Sequence, residues 1–143
     1  ANHTHLFAIN FIKLPHMSTL FSRIISGEIP SYKIAENEHF YAFLDISPLC
    51  PGHTLVVPKL ETDYIFDLPE KYLEEMLVFA QPIALAVPCK RVGIAVIGLE
   101  VPHAHLHLVP INNADDLNFT RSKLNLSPEI MKSVQEKICA NLK

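Results

Sequence analysis

Three histidines, His103, His105 and His107, stand at alternate positions in Val101-Pro102-His103-Ala104-His105-Leu106-His107-Leu108-Val109-Pro110. On a β-strand a spacing of two sends all three imidazoles to one face and Ala104, Leu106 and Leu108 to the other. As plain structure such a row is costly, because every buried ring nitrogen needs a hydrogen-bond partner. Two chemistries suit it. Neutral imidazoles ligate zinc. A straight row wraps poorly around one ion, however, since the outer Cα atoms lie ~13 Å apart at the rise of a strand. Alternatively, a neutral imidazole attacks phosphorus and forms a phosphoramidate that water later cleaves. That nucleophile needs one ring nitrogen free and the other tied to an acceptor. Its neighbours then bind phosphoryl oxygens or protonate the leaving group.

The rest of the chain must position this row. Ser18 is suited to cap a short helix over residues 18–25, whose apolar side is Leu20, Phe21, Ile24 and Ile25; Gly27 stops it. Strands are expected over 32–35, 39–45, 53–58, 92–97 and 101–110. Ser47-Pro48-Leu49-Cys50-Pro51-Gly52 is a stiff loop, because proline fixes φ and removes a donor. Asp67 is placed to cap a second helix, with Leu73, Met76, Leu77, Ala80, Ile83, Ala84 and Val87 at helical spacing. Pro82 should kink that helix and Pro88 should end it. Residues 112–125 read as polar loop, and Ser127-Pro128 opens a C-terminal helix carrying Ile130, Val134 and Ile138 on one face. The strands lack regular helical crossovers. The expected class is therefore α+β: an antiparallel sheet of about five strands with two main helices packed on one side.

With 143 residues, 49% hydrophobic and 19% charged, the chain fits one domain with a real core. Net charge is −3 and no run of Lys or Arg occurs, which argues against a nucleic-acid surface but leaves room for a small anion. Cys50, Cys89 and Cys139 are odd in number and widely spaced, so neither a disulfide framework nor a cysteine zinc site is expected; a reducing cytoplasm is the natural compartment. Residues 1–16 hold His3, His5 and His16 but no sustained periodicity, and their apolar stretches are too short to span a membrane. They read as a leader or non-native extension before Met17, with a native extension as the alternative. Residues 17–143 read as a single domain.

The stretch His103-Ala104-His105-Leu106-His107-Leu108-Val109 resembles the His-φ-His-φ-His-φ-φ motif of the histidine triad family of nucleotide hydrolases and transferases, where φ is apolar. Three further segments are similar to family sequence: Phe21-Ser22-Arg23-Ile24-Ile25-Ser26-Gly27-Glu28-Ile29-Pro30-Ser31, Phe40-Tyr41-Ala42-Phe43-Leu44-Asp45-Ile46-Ser47-Pro48 and Pro51-Gly52-His53-Thr54-Leu55-Val56-Val57-Pro58-Lys59. The resemblance covers about residues 18–112. It implies that His105 is the nucleophile, covalently bound to the α-phosphorus of a purine nucleotide conjugate during turnover. It implies that His103 and His107 contact phosphate and support the nucleophile, with His53 behind them on a neighbouring strand. Asp45 matches the residue that accepts the ribose hydroxyls, and Ile46 an apolar neighbour of the base; a carboxylate accepting hydroxyls beside apolar walls is sound chemistry. Phe21, Ile24 and Phe43 either extend that wall or are plain core. A homodimer with one sheet running across both subunits is also implied. No cofactor, no metal for the covalent step, and no nucleic-acid or membrane partner is expected. His39 matches no role and is taken as a surface residue.

Two departures from the family pattern stand out. Some members carry Cys-x-x-Cys near the start for structural zinc; here Thr19 and Ser22 occupy those places, and hydroxyls are poor zinc ligands. Many members also carry a longer glycine-rich loop before the triad, with an amide and a hydroxyl on the phosphate. Here Val96-Ile97-Gly98-Leu99-Glu100-Val101-Pro102 is short, has no Asn or Gln, and puts Glu100 near the hydroxyl's place. A carboxylate beside a phosphate is repulsive unless it is protonated or turned away. The enzyme reading therefore stands next to a second one, a nucleotide-binding module with little turnover, and a third, a metal-binding histidine protein.

Overall fold

The computed structural model describes residues 18–142; the expected leader 1–16 and the start at Met17 lie outside the described residues. Five strands form one antiparallel sheet in the order β1-β2-β3-β5-β4. They are β1 (Lys33–Glu36), β2 (Phe40–Leu44), β3 (Thr54–Pro58), β4 (Arg91–Ala95) and β5 (Leu106–Ile111). The helices are α1 (Leu20–Ile25), α2 (Glu70–Ala86) and α3 (Pro128–Asn141). The expected α+β class holds, and each strand lies within a few residues of its expected place.

Period-two alternation builds two layers. Phe40, Ala42, Leu44, Val56, Leu106 and Leu108 face one way and form the larger core with α2 and α3. Tyr41, Phe43, Leu55 and Val57 face the other way and pack on Phe21 and Ile24 of α1. The helices are therefore not all on one side: among the described helices, α1 is the one on the face to which His105 and His107 belong. Phe21, Ile24 and Phe43 are core residues of that smaller cluster.

Several boundaries moved for identifiable reasons. Thr19, not Ser18, caps α1, accepting from the Ser22 amide. Asp67 lies in a single 3-10 turn, and Pro69 is the residue before α2. Pro82 stands inside α2, which runs on to Ala86; Pro88 ends it, because the residue before a proline is held out of the helical region, and Val87 is extended. Ser127 caps α3 as expected, with Pro128 in its first turn. His39 is not a plain surface residue: its Nδ1 lies 2.9 Å from Glu75 of α2 and its ring 5.1 Å from that of Tyr72.

The histidine strand begins at Leu106 rather than at the expected 101. In the β3–β5 register Val56 faces Leu106. Two residues further, the ladder would need an amide donor from Pro58, which has none. Instead the Ala104 amide donates to Thr62 O at 2.6 Å and the His103 amide to Val101 O at 2.8 Å. The segment 101–105 is thus irregular backbone, held by loop contacts.

Candidate active site

Each histidine is placed by a different local device. His107 lies inside β5, opposite Leu55 of β3 and Ala95 of β4. His53 directly precedes β3. Its turn depends on Gly52 at φ +96°, where a Cβ would come within 3.1 Å of Val87. His105 directly precedes β5, with its ring edge against Phe21 at a centroid distance of 4.9 Å. Asp45 directly follows β2; its amide donates to His53 O, and its Oδ1 accepts the Ser47 amide at 2.8 Å.

The hydrogen bonds decide the tautomers. His105 Nδ1 lies 2.8 Å from the carbonyl oxygen of His103, so it carries the proton and Nε2 is left with a free lone pair. That satisfies the tautomer condition for an imidazole nucleophile. The Leu49 amide donates to His53 Nδ1 at 3.0 Å, which puts the His53 proton on Nε2. His53 Nε2 then donates to His107 Nδ1 at 2.9 Å, leaving His107 with its proton on Nε2. A backbone amide thus sets the state of His107 through one intervening ring.

His103 differs from the other two. It is fully buried, its Nε2 donates to Pro58 O at 2.8 Å, and its Nδ1 accepts the Thr19 hydroxyl at 2.6 Å. Both ring nitrogens are engaged. The phosphate contact implied by the resemblance therefore finds no free nitrogen on His103, whereas its support of His105 runs through the backbone carbonyl.

Burial dominates the electrostatics. It pushes His107 down to about 3 and His53 to about 4. His105 and His103 are also lowered, first by burial, with backbone hydrogen bonds working in the opposite direction. Burial raises Asp45, and the Ser47 amide partly offsets this. At neutral pH the four imidazoles are uncharged.

A cavity of about 590 Å³ opens over this group. Phe21, Ile24, Phe43 and Ile46 supply apolar wall, and Asp45, His53, His105, His107 and Glu100 supply the polar groups. The structure thus brings every expected site residue to one cavity except His103, which sits behind it. The sequence reading missed Phe119, Thr120 and Lys123, which line the same cavity from the stretch read as polar loop. Phe119 packs on His107 at 4.7 Å and on His53 at 6.0 Å. The lone aromatic and lysine in that polar stretch were the available signal.

Among the described residues Asp45, His53 and His107 form a group whose ligand atoms lie within 4.8 Å of one another. Their hydrogen bonds disfavour a metal there. For His53 Nε2 to ligate an ion, the proton would have to move to Nδ1, where it would meet the Leu49 N–H. Thr19 sits beside His103, with Ser22 next to it: Thr19 Oγ1 donates to His103 Nδ1, and Ser22 Oγ donates to Glu61 Oε1 at 2.9 Å. Two protonated hydroxyls and one carboxylate are a poor donor set for structural zinc.

Comparison with known proteins places these features in a lineage. The HIT domain model matches residues 26–114. An uncharacterized HIT-like protein of Borreliella burgdorferi is 35% identical over 137 residues, covering 86% of this chain and 97% of that protein. Adenosine 5'-monophosphoramidase HNT1 of Saccharomyces cerevisiae is 35% identical over 96 residues, 64% of this chain and 61% of that protein. Among solved structures, a zinc-bound histidine triad family protein from Mycobacterium smegmatis is similar at TM-score 0.75 and 34% identity, covering 88% of this chain and 94% of that one.

Proposed function

The chain belongs to the histidine triad (HIT) family, and from that footing we propose that it hydrolyses or transfers the nucleotidyl group of a purine nucleotide conjugate. The substrate class is a nucleoside phosphoramidate or a dinucleoside polyphosphate; the name of the yeast relative favours the former. The observation that carries the reading is the free Nε2 of His105, aimed by the His103 carbonyl within a cavity that also holds Asp45 and apolar wall.

In this mechanism His105 Nε2 attacks the α-phosphorus. A P–N bond forms as the bond to the leaving group breaks, and His107 Nε2–H serves the phosphoryl oxygens or the departing atom. Water then cleaves the P–N bond and releases the nucleoside monophosphate. Asp45 accepts the ribose hydroxyls, with Ile46 beside the base. No step calls for a metal ion. The test is a panel of nucleotide conjugates, with adenosine 5'-phosphoramidate first, followed by acid-free quenching and peptide mapping. The expected result is turnover, with a nucleotidyl adduct on the peptide containing His105 and unchanged yield in chelator. An adduct elsewhere, or turnover only with added metal, overturns the mechanism.

Glu100 favours a second reading. This exposed carboxylate on the cavity rim opposes a phosphate, as a module that binds nucleotide with little turnover would tolerate. Calorimetry showing AMP binding without turnover of any conjugate selects it.

We also propose the homodimer. β4 is a sheet edge, and beside it runs an apolar groove lined by Leu77, Val78, Ala84 and Ile94. Val78 is 70% and Ile94 49% exposed, so an unpaired strand edge and an apolar groove lie side by side where a second copy could cover both. Light scattering should give twice the chain mass, and Ile94→Lys should give a monomer. A monomeric wild type at high concentration overturns this. A reducing compartment, the cytoplasm, suits the three cysteines, all free thiols. Among the described residues no helix is long and apolar enough to cross a membrane.

A further inference from the structure

The cavity presents a charge problem. Its histidines are neutral at pH 7, and Asp45 and Glu100 bring negative charge. Among the described residues lining it, Lys123 is the only lysine or arginine. A nucleotide phosphate enters as an anion, so it needs a compensating cation.

Lys123 is delivered by a strap that follows the triad. Phe119 lies against the rings of His107 and His53. The Leu124 amide donates to Pro48 O at 2.8 Å, tying the strap to the loop that follows Asp45. Lys123 Nζ donates to Phe119 O at 2.8 Å and sits 5.2 Å from the Phe119 ring centroid. One acceptor occupies one of its three donors, and the side chain is exposed, so protons remain for a ligand. It lines the same cavity as Asp45, His53 and His107, and the Phe119 ring it rests on packs against His107, which places it on the His107 flank of the reacting centre.

We propose that Lys123 is the phosphate anchor of this site, pairing with the nucleotide's phosphoryl oxygens across from His105. The proposal rests on the nucleotide reading above and adds the residue that supplies the missing charge. It also assigns the strap a role: Phe119 covers the His53–His107 pair, and Lys123 reaches over it to the ligand.

The test compares AMP with adenosine, which shares the base and ribose but lacks the phosphate, by calorimetry on the full chain. Lys123→Met should weaken AMP at least about tenfold, the usual scale of one charge-assisted contact, and leave adenosine within about twofold. Lys123→Arg should hold AMP within about threefold, and Lys123→Glu should weaken it further than Lys123→Met. Equal losses for both ligands would show a lysine that only holds the strap, and overturn the proposal. So would AMP binding that is unchanged in Lys123→Met and Lys123→Glu. Wild-type protein that binds adenosine and AMP equally well overturns it too. Wild-type protein that binds neither ligand sinks the nucleotide reading itself, and the anchor with it.

Discussion

Replacing His105 by alanine is expected to cut turnover of the best nucleotide conjugate by at least about three orders of magnitude and to abolish the covalent adduct. Three orders correspond to about 4 kcal/mol of transition-state stabilisation. That is a reasonable loss for a nucleophile whose partners act as a unit with it. The variant should still fold. The ring makes one hydrogen bond to protein, to the His103 carbonyl, and one broken bond of this kind costs about 1 kcal/mol. The space it vacates opens into an existing cavity and does not create a sealed void. AMP should still bind, because His107, Asp45 and the apolar wall remain. Turnover within about tenfold of wild type in His105→Ala would remove His105 as nucleophile. Adduct formation should also lose rate to protonation only below the ordinary histidine range. Burial holds His105 below the ordinary histidine range, so protonation of Nε2 sets in only at lower pH. A decline already centred near pH 7 would contradict that environment.

Much of this site was legible because it rests on a local rule. Alternation along residues 103–108 sent His105 and His107 to one face and Leu106 and Leu108 into the core, as a strand must. The same rule misjudged where the strand starts. A run of alternating residues looks like strand whether or not its partner can pair, and the obstacle was Pro58 on β3, 45 positions before His103 in the chain. The role of His103 was hidden for the same reason: Thr19 and the Pro58 carbonyl take its nitrogens, and neither is near it in sequence. Lys123 and Phe119 were missed because a polar loop carries no periodicity. Long-range contacts hold that stretch over the histidines: the Leu124 amide on Pro48 O and the Phe119 ring on His107 and His53. The tautomer relay from the Leu49 amide through His53 to His107 is beyond any spacing argument, since it depends on hydrogen-bond directions.

That relay also sets an unusual acid sensitivity. His53 and His107 are 1% and 8% exposed, neutral, and hydrogen-bonded to each other in a geometry that offers one proton between them. Folded, they titrate at about 4 and about 3; in the unfolded chain both return to about 6.5. The unfolded state therefore binds more protons than the native state below pH 6.5, so acid favours unfolding. Their contribution is intact above pH 6.5 and is lost as the pH falls toward the folded values. Each group costs up to about 1.4 kcal/mol per pH unit in that window. Between pH 6.5 and 4.5 the pair should remove on the order of 4 kcal/mol, a large share of the 5–15 kcal/mol typical of a domain. The lowered His103 and His105 act in the same direction. Asp45 opposes them, because a raised carboxylate favours the native state as it protonates. Urea unfolding at pH 7.5, 6.0, 5.0 and 4.5 should show stability falling steeply, with His53 and His107 together accounting for close to two of the protons taken up per unfolding event near pH 5. Doubly substituted His53→Gln, His107→Gln protein should lose most of that slope even if its starting stability is lower. A wild-type stability that is flat from pH 6.5 to 4.5 would show that the two imidazoles titrate normally. The neutral relay behind His105 would then not exist in solution.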